Sequence, residues 1–155
     1  MKSLINHETN ELNYYFGGYF ESRHSICIAK IKVKNTKRVL YQLRLKLFSP
    51  EKSVIKLFKQ NFGGCTISKN NKKYAKPKNT KWWWSCNSEA TIDFLYAIKP
   101  YIQGKKLLKK VELAIRFRKF QLKSYRRWGN TKSSNKIRKK REEFYQEMRR
   151  LNKKR

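Results

Sequence analysis

Side chains able to do chemistry are sparse in this 155-residue sequence, and they gather in one place. Glu21 and His24 stand either side of Arg23, directly after the aromatic run Tyr14-Tyr15-Phe16-Gly17-Gly18-Tyr19-Phe20. Two ligand-type residues with a guanidinium between them make a poor cation site, because a hard divalent ion needs several oxygen donors and no competing positive charge. His7 reads as a surface residue, and no nucleophile stands with a base elsewhere. Cys27, Cys65 and Cys86 lie far apart with no paired spacing, which argues against a zinc site and against a secreted disulfide framework. They read as buried free thiols.

Charge says more. The chain holds 40 Lys and Arg against 10 Asp and Glu, a net charge of +30, and the excess runs along its whole length. Self-repulsion on that scale strains a compact free chain, so a polyanion is the expected partner, and nucleic acid explains the spread better than a membrane surface. No apolar run approaches the roughly 20 residues that cross a bilayer. The stretch from Met1 to Glu11 lacks the apolar region of a secretory signal, and Glu8 and Glu11 do not suit an Arg-rich transit peptide. An abundance of Lys, Asn, Ile, Tyr and Phe suits an AT-rich coding sequence, which points to an organelle-encoded protein. With 39% hydrophobic and 14% aromatic residues, the chain can build the core of one domain.

These groups must be held by elements that periodicity makes legible. Residues 8–22 read as a helix in which Gly17 and Gly18 each cost roughly 1 kcal/mol relative to alanine. The return is close contact with another helix, of this chain or of a second copy. In the run Ile26 to Lys34, Lys30, Lys32 and Lys34 alternate with Ala29, Ile31 and Val33. In the next run, Val39, Tyr41, Leu43, Leu45 and Leu47 share one face, and Gln42, Arg44 and Lys46 share the other. Asn35-Thr36-Lys37 joins the runs as a β-hairpin with one greasy and one basic face. Like charges side by side repel, so the basic face is expected to hold a ligand.

Ser49-Pro50-Glu51 reads as a helix start and Gly63-Gly64 as its end. A second strand pair, 65–69 and 80–86, flanks a loop from Lys69 to Lys81 whose Lys72, Lys73, Lys76 and Lys78 suit phosphate contact. Alternation sends Trp82 and Trp84 to one face and Trp83 to the other. Two of the three rings belong to the core, and the remaining one either stacks on a base or covers a hydrophobic edge. A third helix, Ala90 to Ile98, follows Asn87-Ser88-Glu89, and a longer one runs from Lys105 to Arg127. Gly129 to Asn135 is a polar hinge. The tail beyond it is a helix that opens on Arg138-Lys139-Lys140-Arg141 and carries a thin stripe of Ile137, Phe144, Met148 and Leu151. Such a stripe cannot hold a helix alone, so the tail is expected to dock on a polyanion or another protein. The domain reading is therefore a nucleic-acid-binding domain over 1–128, then a hinge and basic helix over 129–155.

Three stretches in this order resemble the LAGLIDADG homing endonucleases. They are Tyr15-Phe16-Gly17-Gly18-Tyr19-Phe20-Glu21 running into Ser25-Ile26, then Phe62-Gly63-Gly64, then Trp84-Ser85 leading into Phe94-Leu95-Tyr96-Ala97-Ile98-Lys99-Pro100-Tyr101 with Lys105-Lys106 beyond. The resemblance covers roughly residues 10–122. It implies an α+β fold, an αββαββα unit whose saddle-shaped antiparallel four-stranded sheet lies in a DNA groove, here with a basic C-terminal helical extension. It also implies that the rows of Lys30, Lys32, Lys34 and of Gln42, Arg44, Lys46 lie on the concave face, and that signature helices of two copies pack at Gly17 and Gly18.

Laid on Phe16 to His24, the family's signature puts Glu21 at its first acid and Arg23 at its second, which is the divalent-metal ligand of active members. Metal-assisted phosphodiester cleavage needs that carboxylate. The resemblance therefore implies a scaffold without a catalytic residue or resident cofactor, with Glu21 kept for capping or for pairing with a nearby base. The charge excess then predicts an rRNA-binding component of an organellar ribosome, mitochondrial before chloroplast, packed on neighbouring ribosomal proteins or on a second copy. The alternatives are an intron-encoded homing endonuclease using Mg²⁺, a maturase relative acting on intron RNA, and an architectural binder of duplex DNA.

Overall fold

The apolar periodicities resolve into helices and strands in the expected order. The structure, a computed structural model, describes residues 2–34, 39–69, 81–86, 89–128 and 135–153. Helix α1 (Lys2–Arg23) leads into strands β1 (His24–Lys32) and β2 (Val39–Ser49), helix α2 (Lys52–Phe62), strands β3 (Cys65–Lys69) and β4 (Lys81–Cys86), and helix α3 (Glu89–Ile98). A short 3₁₀ turn (Lys99–Tyr101), helix α4 (Lys105–Trp128) and helix α5 (Asn135–Asn152) complete the chain. The strands form a four-stranded sheet in the order β1-β2-β4-β3, with β4 antiparallel to both β2 and β3. An αββαββα unit followed by a basic helical extension is the architecture the resemblance implies.

The chain packs as two units, Met1–Ser25 with Leu45–Lys105, and Ile26–Arg44 with Lys106–Arg155. In the first, Phe16 and Phe20 lie one helical turn apart on α1 and are fully buried. Phe16 meets Phe58 and Phe62 of α2 at 4.7 and 5.0 Å between ring centroids, and Phe20 meets Phe94 of α3 at 5.0 Å. Edge-on aromatic pairs of this kind add to the stabilisation from burial alone. Helix α2 ends at Gly63, whose φ of 67° only glycine adopts freely and whose N–H donates to the Lys59 carbonyl at 2.8 Å.

The start of α2 differs from the expected one. Glu51 is its N-cap, without a side-chain capping bond, while Ser49 still belongs to β2. The Ser49 hydroxyl accepts from the Glu51 N–H at 3.0 Å and from the Tyr19 hydroxyl at 2.7 Å, so a tertiary partner has claimed the buried residue that local pattern assigns to the cap. The thiols also differ from expectation, for Cys86 is buried, Cys27 half-buried and Cys65 exposed.

In the second unit the core collects Ile26, Ile28, Leu43, Val111, Ala114, Phe117, Phe144 and Met148. The tail helix packs on its own chain instead of awaiting another molecule. Phe144 meets Phe117 and Phe120 of α4 at 5.6 and 5.7 Å, and the Asn152 amide donates to the Ile26 carbonyl at 2.9 Å. Those rings complete the burial that the thin stripe lacks in isolation.

Glu142 fastens α5 to the hairpin. Its carboxylate accepts from Lys30 Nζ at 2.8 Å, from the Tyr41 hydroxyl and from Gln146 at 2.7 Å. Lys30 first, then Tyr41, hold its carboxyl down to about 2, from an ordinary 4.5. A depressed carboxyl stabilises the fold above its unfolded value and loses that contribution as pH falls through its folded one. Replacing Glu142 with Gln is therefore expected to flatten the loss of stability between about pH 4.5 and 2 in a series of urea titrations. At neutral pH the same change is expected to cost about 1 kcal/mol, the pair being partly solvated.

Candidate nucleic-acid interface

On β2 one parity is apolar through Leu47, so Leu43, Leu45 and Leu47 are buried, with the hydrogen-bonded Ser49 buried beyond them, and Gln42, Arg44, Lys46 and Phe48 take the other face. Arg44 Nε donates to Gln42 Oε1 at 3.2 Å, which holds the guanidinium along the strand. Within the first unit, Lys46 stands opposite Ser85 and Phe48 opposite Trp83. The Phe48 and Trp83 rings lie 5.6 Å apart at 49°, an aromatic pair on the same side as Lys46. Trp83 Nε1 is buried and has no hydrogen-bond partner among the described residues. Trp84 points the opposite way and is fully buried, with its Nε1–H donating to the Gly63 carbonyl at 2.8 Å. Trp82 shares that face under the Lys52 ammonium, 4.6 Å from its ring centroid. The three tryptophans thus alternate as expected.

Strand β1 has the opposite parity from the one expected. Ile26 and Ile28 are the buried residues, so Lys30 and Lys32 share their side of the hairpin and do not join Gln42 and Arg44. Lys30 Nζ sits over the Tyr41 and Tyr145 rings at 5.9 and 5.7 Å, on the side that α5 covers. The physical reason is that β1 is apolar at both parities near its start. Two isoleucines bury more area than Cys27 and Ala29, and Glu142 of α5 supplies the partner that lets Lys30 follow them. Lys34 is exposed in the turn beyond.

Lys69 and Lys81 are register partners where β3 ends and β4 begins, while Lys72, Lys73, Lys76 and Lys78 lie outside the described residues. On α5, Arg138, Lys139 and Lys140 are exposed, with Lys140 2.8 Å from Glu143, and Arg141 donates to the Ser124 hydroxyl at 3.1 Å.

The two glycines of α1 have different surroundings. Gly17 is buried, and a Cβ there would lie 2.9 Å from Tyr101 Cβ and 3.5 Å from the Ile98 carbonyl, so its close neighbour is this chain's own α3 and 3₁₀ turn. Gly18 faces open space beside exposed Tyr14 and Tyr15. Gly17→Val is expected to destabilise the chain by about 2 kcal/mol through overpacking. By thermal unfolding, Gly18→Ala should be neutral or stabilising by up to about 1 kcal/mol.

At the end of the same helix, Glu21 reaches across the fold. Its Oε1 accepts the Gly104 N–H at 2.6 Å and its Oε2 the Gln103 N–H at 3.1 Å. These N–H groups open α4, where the helix dipole favours a negative charge. His24 Nδ1 lies 3.0 Å from the carbonyls of both Phe20 and Glu21, so that nitrogen must carry the proton it donates. The Arg23 guanidinium lies 6.0 Å from the Tyr19 ring centroid. Among the described residues, no three His, Cys, Asp or Glu side chains gather where they could hold a metal ion. No local signal could have found Gln103 and Gly104, which contribute only backbone.

No family model and no curated protein matches the sequence. Solved structures do. The homing endonuclease I-CvuI in complex with its target is 9% identical, with 96% of this chain and 86% of that one aligned at a TM-score of 0.73. The archaeal intron-encoded homing endonuclease I-Vdi141I complexed with DNA is 12% identical, covering 92% and 85% at 0.69. The I-LtrWI LAGLIDADG homing endonuclease bound to target DNA is 15% identical, covering 76% of this chain and 40% of its own at 0.58. Identities this low carry the path of the backbone and not its chemistry. The chain has the fold of the LAGLIDADG homing endonucleases.

Proposed function

We propose that this chain is a non-catalytic nucleic-acid-binding protein, which grips polynucleotide on a LAGLIDADG-type scaffold and leaves it intact. One observation carries the reading: both oxygens of Glu21 are committed to backbone N–H groups at the head of α4. The resemblance adds that Arg23 falls at the second acid of the family's signature. This donor set does not fit a divalent cation, which needs several free oxygens and is repelled by a guanidinium. Glu21 acts here as a helix cap. Glu21→Ala is accordingly expected to lower stability by about 1–2 kcal/mol in urea unfolding, with nucleic-acid affinity unchanged below the transition.

Within the second unit binding rests on the outward Gln42 and Arg44 of β2; within the first it rests on Lys46, with Trp83 and Phe48 as an aromatic surface on which an unpaired base can stack. The loop lysines between Lys69 and Lys81 and the cations that open α5 add phosphate contacts. The finer proposal is structural RNA of an organellar ribosome, mitochondrial before chloroplast. It is supported by the net charge of +30, because added Lys and Arg strengthen non-specific binding that a site-seeking nuclease must escape. Neighbouring ribosomal proteins or a second copy would cover Tyr14, Tyr15 and Gly18 on α1. Co-purification with ribosomal particles at moderate salt, with steep release on salt washing, tests this reading.

The second reading is an intron-encoded endonuclease or maturase, favoured by the DNA held in structures of the same fold. Specific double-strand cuts in Mg²⁺ or Mn²⁺ that disappear in Glu21→Gln would establish it.

A further inference from the structure

Charge is divided unevenly between the two units. The first carries 14 Lys and Arg against 6 Asp and Glu, net +8, and the second 26 against 4, net +22. The second unit has little left to neutralise that excess. Glu142 is held by Lys30, Glu143 by Lys140 and Glu147 by Arg116, and Glu112 is also engaged. A unit this cationic is expected to meet polyanion on more than one side.

The geometry of this unit provides two sides. Gln42 and Arg44 occupy one face of the hairpin, and α5 covers the other, where Lys30 and Tyr41 bind Glu142. Helices α4 and α5 run antiparallel, tied at Lys106 to the Lys153 carbonyl, Arg116 to Glu147 and Arg141 to Ser124. Along this seam, Lys109 and Lys123 are exposed on α4, and Lys136, Lys139 and Arg150 on α5. Fourteen helical residues, from Lys109 to Lys123 or from Lys136 to Arg150, span about 21 Å. That length runs beside about six phosphates of one strand at ~3.4 Å of axis each. Among the described side chains these rows expose no aromatic ring or large aliphatic group, which suits a phosphodiester backbone and offers nothing to a lipid interior.

We propose that the α4–α5 face of the second unit binds the backbone of a second nucleic-acid segment, so that the chain bridges two segments held on opposite sides of its hairpin. This rests on the reading that the β2 face binds nucleic acid. The α4–α5 contact is independent of base sequence and steeply dependent on salt.

The test uses the full chain and a short blunt RNA duplex, one batch carrying a donor dye and the other an acceptor. Energy transfer reports bridging, and anisotropy of one labelled duplex at limiting RNA reports binding to the first site. Wild-type protein is expected to bring donor and acceptor duplexes together, with the signal vanishing at excess protein as each duplex acquires its own chain. Lys109→Gln with Lys123→Gln and Arg150→Gln is expected to abolish energy transfer and to lower the salt slope of bridging by about 3. Its single-duplex affinity should stay within about threefold, because at physiological salt screening acts over roughly 8 Å. Energy transfer that survives in this variant would mean that two copies, not two faces, join the duplexes, and would overturn the proposal. Loss of sedimentation with phosphatidylserine vesicles, with bridging unchanged, would assign the face to a membrane and overturn it equally. Absence of any duplex binding would sink this proposal together with the reading beneath it.

Discussion

Trp84→Ala is expected to destabilise the protein by about 3–5 kcal/mol, the range for a large aromatic removed from a packed core. Trp84 is fully buried and stands on β4 opposite Leu47 of β2 and Thr66 of β3. Its ring meets Phe94 at 5.0 Å and Phe58 at 5.3 Å, and these two are the aromatics that hold α1 through Phe20 and Phe16. Truncation therefore opens a cavity where three helices converge on the sheet. It also leaves the Gly63 carbonyl without its indole donor, which adds roughly 1 kcal/mol. Nearby Gly64 fixes the loop closely, for at φ 83° any Cβ there would come 2.5 Å from the Ser85 carbonyl, so the backbone cannot collapse inward to fill the space. Urea unfolding followed by circular dichroism checks the value, and a loss below about 1 kcal/mol would contradict the packing described. Trp84→Phe, which keeps most of the ring, should lie well below the alanine value.

The second large effect falls on binding. Replacing Arg44 and Lys46 by alanine is expected to weaken nucleic-acid affinity by about 10- to 100-fold and to lower the salt slope by about 2. Both project from the face of β2 opposite its buried leucines, so stability should move by no more than about 0.5 kcal/mol. Arg44 is held along the strand by Gln42, so its replacement removes a guanidinium whose direction is already fixed. Lys30→Ala is expected to behave in the opposite way, sparing affinity and weakening the hold of α5, since its ammonium is bound to Glu142. Filter binding across a salt series, paired with thermal melts of each variant, separates the two. Equal losses of affinity for Lys30 and Arg44 would show that both rows reach the ligand.

The contrast between those two strands shows what could be read in advance. Strand β2 was legible because Leu43, Leu45 and Leu47 share one parity while Gln42, Arg44 and Lys46 between them are all polar. Strand β1 was not, because Ile26, Ile28 and Ile31 straddle both parities and the choice was made by Glu142, more than a hundred residues away. The order of elements, the stop at Gly63-Gly64 and the alternation of the three tryptophans follow from local rules and came through. Ser49 and Glu21 did not resolve fully, because each is used by a distant group. Tyr19 holds Ser49 inside the sheet, and Glu21 caps a helix whose first N–H groups have no signature of their own. The tail shows the same limit, for its stripe reads as too thin until Phe117 and Phe120 are in place beside Phe144.

The proposed role of Glu21 as a helix cap on a scaffold that leaves polynucleotide uncut is tested most directly by sequencing nucleic-acid ends. Total cellular DNA and RNA would be incubated with the protein in Mg²⁺, separated into bound and free fractions, and read for new termini. The account predicts retained polymer whose ends match those of the untreated sample. Recurrent new ends at one sequence, absent when Glu21→Gln replaces the wild type, would contradict it.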